Sequence, residues 1–487
     1  MFFRGLWGYL PANILQGIIG FATLMVFTRV LSPEAYGQYA LAFGLSSLIY
    51  TIVFTWLEAS MARFYVAEAR DGAEAPALYG TLYRLFIVVA VIFAIVCAAT
   101  LWLWPGNSPL KPAIGYALAT LVSRSLIRLV QEQRRAEGRV GTASMIDMIQ
   151  TVGGFGLGVV CALAGLGGAS PIIGTGLIAA LCLPFFARED WGRAIKGNFD
   201  LARARNYAHY GFPLAASLIL TLALYTVDRF LIAHWLSEAQ AGAYHAGYSL
   251  ASRILDVLFI WFGAAGTPAM VQALENGGEN ALMTSARQQL TTMIFVLFPA
   301  VGGLIMVAPS LGEFVIGEGL RAQALSVTPL ISLGALFSGL NTYYFLQAFT
   351  LAKKTRLLVV AMAVPAVSNI VLNVTLIPLM GLPGAALAGC LSFASGVVGS
   401  WLLGRGTLAL PVPVKPLFAT AGCVAIMMAV LAVLPHWGGL LELGVKSIAG
   451  VAIYGGLAWL LNLNGMREPT ARIYQRLKQG LRRKVPA

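Results

Sequence analysis

The sequence predicts an all-α polytopic membrane protein with about 14 transmembrane helices, arranged as two pseudo-symmetric six-helix bundles plus two C-terminal helices. Three observations carry that prediction. The 487 residues are 58% hydrophobic and 11% charged, with a mean hydropathy of +0.78. Soluble domains carry roughly 25% charged residues, so this chain cannot clothe a water-facing surface of its size. The apolar residues fall in blocks that reach the roughly 20 helical residues needed to cross the hydrocarbon layer. Runs such as 85–103 are apolar on all sides, unlike the alternating strands of a barrel. Finally, the lysines and arginines gather in every second connection, as orientation in a membrane demands.

Taken in order, the first six spans are expected at about 6–31, 38–66, 79–104, 112–133, 142–165 and 171–187, a bundle within residues 1–190. The residues Met1 to Gly5 run straight into apolar sequence without a small-residue cleavage site, which reads as a retained first helix. A polar stretch, 188–206, leads to spans at about 207–236, 242–272, 287–309, 325–351, 356–379 and 384–404, a second bundle within 207–405. Two further spans lie at about 415–434 and 444–463, within 415–463, and a basic tail, 464–487, closes the chain.

An even number of spans puts both ends on one side. With the ends cytoplasmic, the connections on that side hold Arg63, Arg134, Arg135, Arg139, Arg188, Arg193, Lys353, Lys354 and many more, while the opposite ones hold little beyond Lys111, Arg321 and Lys446. The net charge of +13 and the pI of about 9.7 therefore reflect orientation and not nucleic-acid binding. The cysteines Cys97, Cys161, Cys182, Cys390 and Cys423 sit in apolar runs without a CxxC, and His209, His234, His245 and His436 lack metal-ligand spacing. Nothing here calls for a cofactor, zinc or disulfide. Gly153-Gly-Phe-Gly-Leu-Gly158 follows no strand and precedes no Lys-Ser/Thr, so it reads as close helix packing and not as a phosphate loop. The external connections, about 105–111, 310–324 and 435–443, are too short to build a catalytic domain, which argues against a membrane-embedded polymerase or glycosyltransferase.

An internal echo supports the two-bundle plan. Leu31-Ser-Pro-Glu-Ala-Tyr-Gly37-Gln-Tyr39 returns as Leu236-Ser-Glu-Ala-Gln-Ala-Gly242-Ala-Tyr244, each after the first helix of a bundle. Gly165-Leu-Gly-Gly168-Ala169 returns as Gly381-Leu-Pro-Gly384-Ala385, and Pro11 and Pro213 sit early in the first and seventh spans. Both copies start on the same side, so the repeat is parallel, a plan typical of transporters that rock about a central site.

On these motifs, together with Tyr210-Gly-Phe-Pro213, Val227-Asp228-Arg229 and Gly242-Ala-Tyr244-His-Ala-Gly-Tyr248, the chain resembles Wzx-type oligosaccharide flippases. These form the polysaccharide-transporter branch of the multidrug/oligosaccharidyl-lipid/polysaccharide exporter superfamily. The resemblance covers nearly the whole chain. It implies export of an undecaprenyl-diphosphate-linked oligosaccharide across the bacterial inner membrane, for an O-antigen, capsule or exopolysaccharide. It also implies a polysaccharide polymerase and co-polymerase as partners. A lipid II flippase of cell-wall synthesis is the alternative. A multidrug exporter fits less well, because that group usually has 12 helices and a carboxylate-centred cation site.

Ionisable residues inside the bilayer cost about 2.5–3.5 kcal/mol each on insertion scales, and they mark the expected site. Arg124 and Arg128 lie one turn apart on the fourth span, with Glu132 and Arg135 continuing the stripe. On the eighth, Arg253 and Asp256 are spaced to pair. Guanidinium groups suit a diphosphate because they stay charged and bind bidentately. Arg124, Arg128 and Arg253 are therefore expected to line a hydrated path, with Arg29 and Arg63 near its mouths, unless those two reach out to lipid phosphates. Ser217, Thr221 and Tyr225, in line with Asp228 on the seventh span, and Asn341, Tyr344 and Gln347 on the tenth are candidates to meet sugar hydroxyls, as are Asn369 and Asn373 on the eleventh. Interhelical hydrogen bonding is the other role for such groups. Glu58, Asp147, Asp228 and Asp256 are candidates for coupling to protons or sodium. Glu58 and Asp147 are the better pair, because Asp228 and Asp256 have arginines nearby in sequence.

Overall fold

The computed structural model describes residues 2–68, 76–106 and 108–467, apart from the side chains of 2–10, 217, 220, 221, 223 and 225. The tail beyond 467, and with it most of the basic segment read from the sequence, lies outside the described residues. Every element is helical: α1 Phe2–Val30, α2 Pro33–Val53, α3 Thr55–Glu68, α4 Pro76–Leu103, α5 Leu110–Ala136, α6 Val140–Leu163, α7 Ser170–Phe186, α8 Arg188–Lys196, α9 Leu201–Trp235, α10 Glu238–Val315, α11 Glu318–Leu340, α12 Gln347–Leu351, α13 Thr355–Met380, α14 Leu382–Arg405, α15 Val414–Val433 and α16 Gly439–Leu460. Among the described residues, eleven helices are long and apolar enough to cross a membrane, or twelve if the bent pair α2–α3 is one span. The chain is a multi-pass membrane protein. Its outward surface agrees: α4 exposes Val88, Val91, Ile92, Ile95 and Val96, a stripe only acyl chains would wet.

Local chemistry explains where elements stop and bend. Ser32 caps α2, its hydroxyl accepting from the Ala35 amide, with Pro33 at the first helical position. Asp200 caps α9 by accepting from the amides of Ala202 and Arg203. The predicted second span breaks at Phe54 into α2 and α3, bent by 46°. No proline or glycine causes this. Thr51, Ile52, Val53 and Thr55 are β-branched and resist helix, and the Trp56 indole donates to the Val53 carbonyl at 2.9 Å, satisfying an acceptor freed by the break. The loop expected at 273–286 is helical instead, and α10 is interrupted only at Gly278, whose φ of 65° is left-handed. Asn341–Phe345 forms a π-helical turn.

The chain divides into two compact units. Unit 1 holds the chain up to Ala246 with Val315–Ala324 and Ile370–Ala385. Within it α6 and α7 pack through glycine. A Cβ on Gly174 would lie 2.3 Å from the Gly158 amide nitrogen, so the glycine cluster of α6 serves helix packing. The two copies of the first echo meet in the same unit. A Cβ on Gly37 would come within 1.8 Å of the Glu238 carbonyl oxygen, and one on Gly242 within 2.8 Å of the Gly37 nitrogen. Unit 2 holds Gly247–Phe314, Leu325–Asn369 and the chain from Ala386 onward, and part of its core joins Cys423, Met427, Leu431 and Tyr454.

The short helix α8 is fastened to unit 1 by a buried ionic network. Arg134 at the end of α5 pairs with Asp190 of α8 and with Glu137, each at 3.2 Å. Arg134 is 3% and Asp190 0% exposed. Gln133 adds a hydrogen bond to Asp190 at 2.8 Å. Burial pushes the Asp190 carboxyl up to about 6, against the pull of Arg134 and Gln133. A carboxyl raised on folding contributes stability below its unfolded pKa and loses it as pH climbs through the folded value. Removing Arg134 leaves that charge buried and unpaired. Arg134→Ala is expected to cost about 3–5 kcal/mol near neutral pH. The melting-temperature gap to the parent protein should narrow on acidification to about pH 5, as Asp190 takes up a proton. A gap independent of pH would contradict the assignment.

Candidate functional site

The break between α2 and α3 sets a carboxylate inside unit 1. Glu58 lies in the first turn of α3 and is 9% exposed. Its carboxylate accepts from the Tyr50 hydroxyl at 2.5 Å, across the kink from the last turn of α2. The Arg128 guanidinium lies 6.0 Å from the Tyr50 ring centroid, and Arg128 interacts electrostatically with Glu58. Arg128 sits about 12 Å inside the C-terminal end of α5, yet it is exposed. One turn earlier Arg124 is half-buried, and its Nη1 makes no hydrogen bond among the described residues. Beyond Arg128 the same face continues into a closed network: Arg135 pairs with Glu132 and, at 3.1 Å, with Asp147 of α6, while the Gln131 amide donates to Asp147 at 2.9 Å.

The two candidate coupling carboxylates therefore differ. Asp147 pairs with Arg135, whereas Glu58 is held by the Tyr50 hydroxyl and forms no ion pair among the described residues. Neither Tyr50 nor Gln131 stood out in the sequence. Tyr50 could have been found by noticing that its helix runs into β-branched residues.

Of the remaining candidates, Asp228 is buried in unit 1, where it accepts from Tyr244 at 3.0 Å and from the Asn373 amide at 2.8 Å. Asn373 thus makes the interhelical hydrogen bond that was one of its two expected roles. Arg29 donates to the carbonyls of Met25 at 2.8 Å and Val315 at 3.5 Å. Arg63 is exposed. The side chains of Ser217, Thr221 and Tyr225 lie outside the described residues.

In unit 2, Arg253 and Asp256 form no ion pair despite their spacing. Asp256 is exposed, and Arg253 keeps a buried Nε without a partner. Asn341, Tyr344 and Gln347 do not share one wet face, because the π-helical turn shifts the register. Tyr344 is 0% exposed and donates to the Pro411 carbonyl at 2.6 Å, Asn341 is 7% exposed, and Gln347 donates to the Thr342 carbonyl at 3.1 Å. Unit 2 also contains an apolar cavity of about 530 Å³, lined by Phe295, Pro299, Met427, Val451 and Tyr454. Lys446 at its edge is neutralised by Glu442 at 2.5 Å.

The solved structures that this fold resembles are of transporters. The lipid II flippase MurJ, in an inward closed conformation, matches with a TM-score of 0.75 at 15% identity, over 93% of this chain and 98% of that one. An inward-facing multidrug resistance MATE family transporter of the MOP superfamily matches with a TM-score of 0.61 at 14% identity, over 80% of this chain and 94% of the other. At these identities the likeness is one of fold. A search of curated protein sequences finds no match. A family model described as "Polysaccharide biosynthesis protein" matches residues 26–324, more than half of the chain, and the protein belongs to that family.

If Arg124 and Arg128 receive an anionic cargo, Arg124→Ala and Arg128→Ala should each reduce export by about tenfold or more, the effect of losing one charge-assisted contact, at unchanged protein level. Export intact in both variants would refute that role. Glu58→Gln should abolish the dependence of transport on an imposed ion gradient in vesicles and leave cargo binding in place. An unchanged dependence would dismiss Glu58 as the coupling group.

Proposed function

We propose that the protein is a flippase that moves an undecaprenyl-diphosphate-linked oligosaccharide from the cytoplasmic to the periplasmic leaflet of the bacterial inner membrane, by alternating access, for O-antigen, capsule or exopolysaccharide synthesis. The observation that carries this reading is Arg128, exposed in mid-span beside Arg124. Arginines within a span face a bundle interior or water far more often than acyl chains, and two guanidiniums one turn apart suit a diphosphate. Membership of the polysaccharide biosynthesis family supports an oligosaccharide as the group carried.

The reading includes fourteen crossings with both termini cytoplasmic. α10 exceeds, on either side of Gly278, the about 20 residues of one crossing, and the 35 residues of α9 are long enough for another. It also includes bundles at 1–190 and 207–405 with added helices in 415–463, a proton or sodium gradient acting through Glu58, and a polymerase and co-polymerase that take the product.

The fold likeness to MurJ favours lipid II as the second reading. Deleting the gene and extracting lipids separates the two. Trapped undecaprenyl-linked repeat units with normal peptidoglycan are expected. Rescue of cells depleted of their lipid II flippase, with polysaccharide unaffected by the deletion, would replace the first reading by the second.

A further inference from the structure

The exposed side of α7 does not end with the span. Leu177, Leu181 and Phe185 stand four residues apart and are exposed, a stripe along one helical face of the kind acyl chains wet. Ala187, at φ −95° and ψ −9°, passes the chain into α8 on a nearly helical backbone. Continued at the helical period, the stripe runs into Arg188, Gly192 and Lys196, all exposed, with the largely exposed Ile195 at its edge. The opposite side of α8 faces the rest of unit 1. Asp190 pairs there with Arg134, Ala194 is buried, and the Trp191 ring meets the Tyr83 ring edge-on with centroids 5.2 Å apart. One face of α8 is thus anchored and the other bare.

The bare surface continues past α8. A Cβ on Gly197 would lie 1.8 Å from the Pro76 carbonyl oxygen, and one on Gly80 would lie 2.5 Å from the Gly197 carbonyl carbon, so the chain here rests on the start of α4. One turn beyond Gly80, Arg84 is exposed. Past the junction Phe199 and Leu201 are exposed, and Arg205, one turn after Leu201 on α9, is exposed as well. Glu189 is the exposed carboxylate of this segment, and Asp200 accepts from Arg203 at 3.2 Å. Apolar and cationic side chains therefore share a surface that is continuous with a span.

We infer that this surface lies in the headgroup layer and binds anionic phospholipid. Ile195, Phe199 and Leu201 enter the boundary of the acyl chains, and Arg84, Arg188, Lys196 and Arg205 meet lipid phosphates. Two arguments choose that occupant. The surface prolongs the stripe of α7, so whatever wets that stripe is also the neighbour of α8. The charges then select among lipids: among the described residues of this surface, four exposed cations stand against the one carboxylate of Glu189. An apolar face rimmed by such cations is the pattern of an interfacial segment drawn to a negatively charged leaflet. Water in its place would leave three large apolar side chains bare. The inference rests on the chain crossing a membrane and not on the cargo it carries.

The test uses the full-length protein in nanodiscs, in a Cys97→Ser background, the other four cysteines being buried. A fluorophore on the cysteine of Ile195→Cys is read against nitroxide-labelled phosphatidylglycerol or phosphatidylcholine. Quenching by both lipids is expected, and it should be stronger with phosphatidylglycerol. Combining Arg84→Gln, Lys196→Gln and Arg205→Gln should cut that preference by at least about fivefold, with quenching by phosphatidylcholine retained. Salt at about 1 M should erase the preference without the substitutions. In detergent, added phosphatidylglycerol should raise the melting temperature more than phosphatidylcholine does, and the triple variant should lose that difference. A preference unchanged in the triple variant, or a label that neither lipid quenches, would overturn the assignment. A label unquenched in nanodiscs yet shielded in native membranes would replace the lipid by a protein partner. If the triple variant fails to fold, the quenching and its salt dependence still decide.

Discussion

A charge shut off from water needs a counter-charge or a hydrogen bond, and much of the polar architecture of this protein answers to that constraint. Arg134 is enclosed by Asp190 and Glu137, Asp147 by Arg135 and Gln131, Lys446 by Glu442, and Asp228 by Tyr244 and Asn373. Asp190, Asp147 and Asp228 take partners from another helix, and Lys446 takes its partner from its own. Against them Arg124 and Arg128 stand out. Their neighbours include the Tyr50 ring and the Glu58 carboxylate, and the Arg124 Nη1 makes no hydrogen bond among the described residues.

Placement of the carboxylate depends on a defect in a helix. Were α2 to continue straight through Phe54, Tyr50 and Glu58, eight residues apart, would lie about 12 Å apart along the axis. The bend of 46° tilts the two turns toward one face, and the long Tyr50 and Glu58 side chains span the remaining distance to bring hydroxyl and carboxylate into contact. The same turn then lies beside α5, where Arg128 projects. A local weakness in helix propensity thus assembles groups from three helices, and no single helix carries the arrangement.

Much of this was legible in the sequence, and the reasons divide cleanly. Hydropathy marked the spans because every lipid-facing position must be apolar. Arginines at 124 and 128 were visible because charge in such a segment is conspicuous, and their shared face follows from helical period alone. What was hidden depends on long-range partners. Asp147 lacked a partner in its own neighbourhood of sequence and gains one from α5, whereas Arg253 and Asp256 have the spacing of a pair and do not form one. The segment 273–286, with Glu275, Gly277, Gly278 and Glu279, has the composition of a loop, yet only Gly278 departs from helix. The π-helical turn at Asn341 left no trace either, and it upset the reading of Tyr344 as a wetted residue.

The meeting of Gly37 with Gly242 explains why the repeated motif can still be read. The two copies are not merely similar segments in matching places. Each supplies the bare backbone against which the other rests, so a side chain gained by one would be driven into the other. Drift in either copy is therefore a collision in both, which keeps an internal echo readable at the point where its two copies touch.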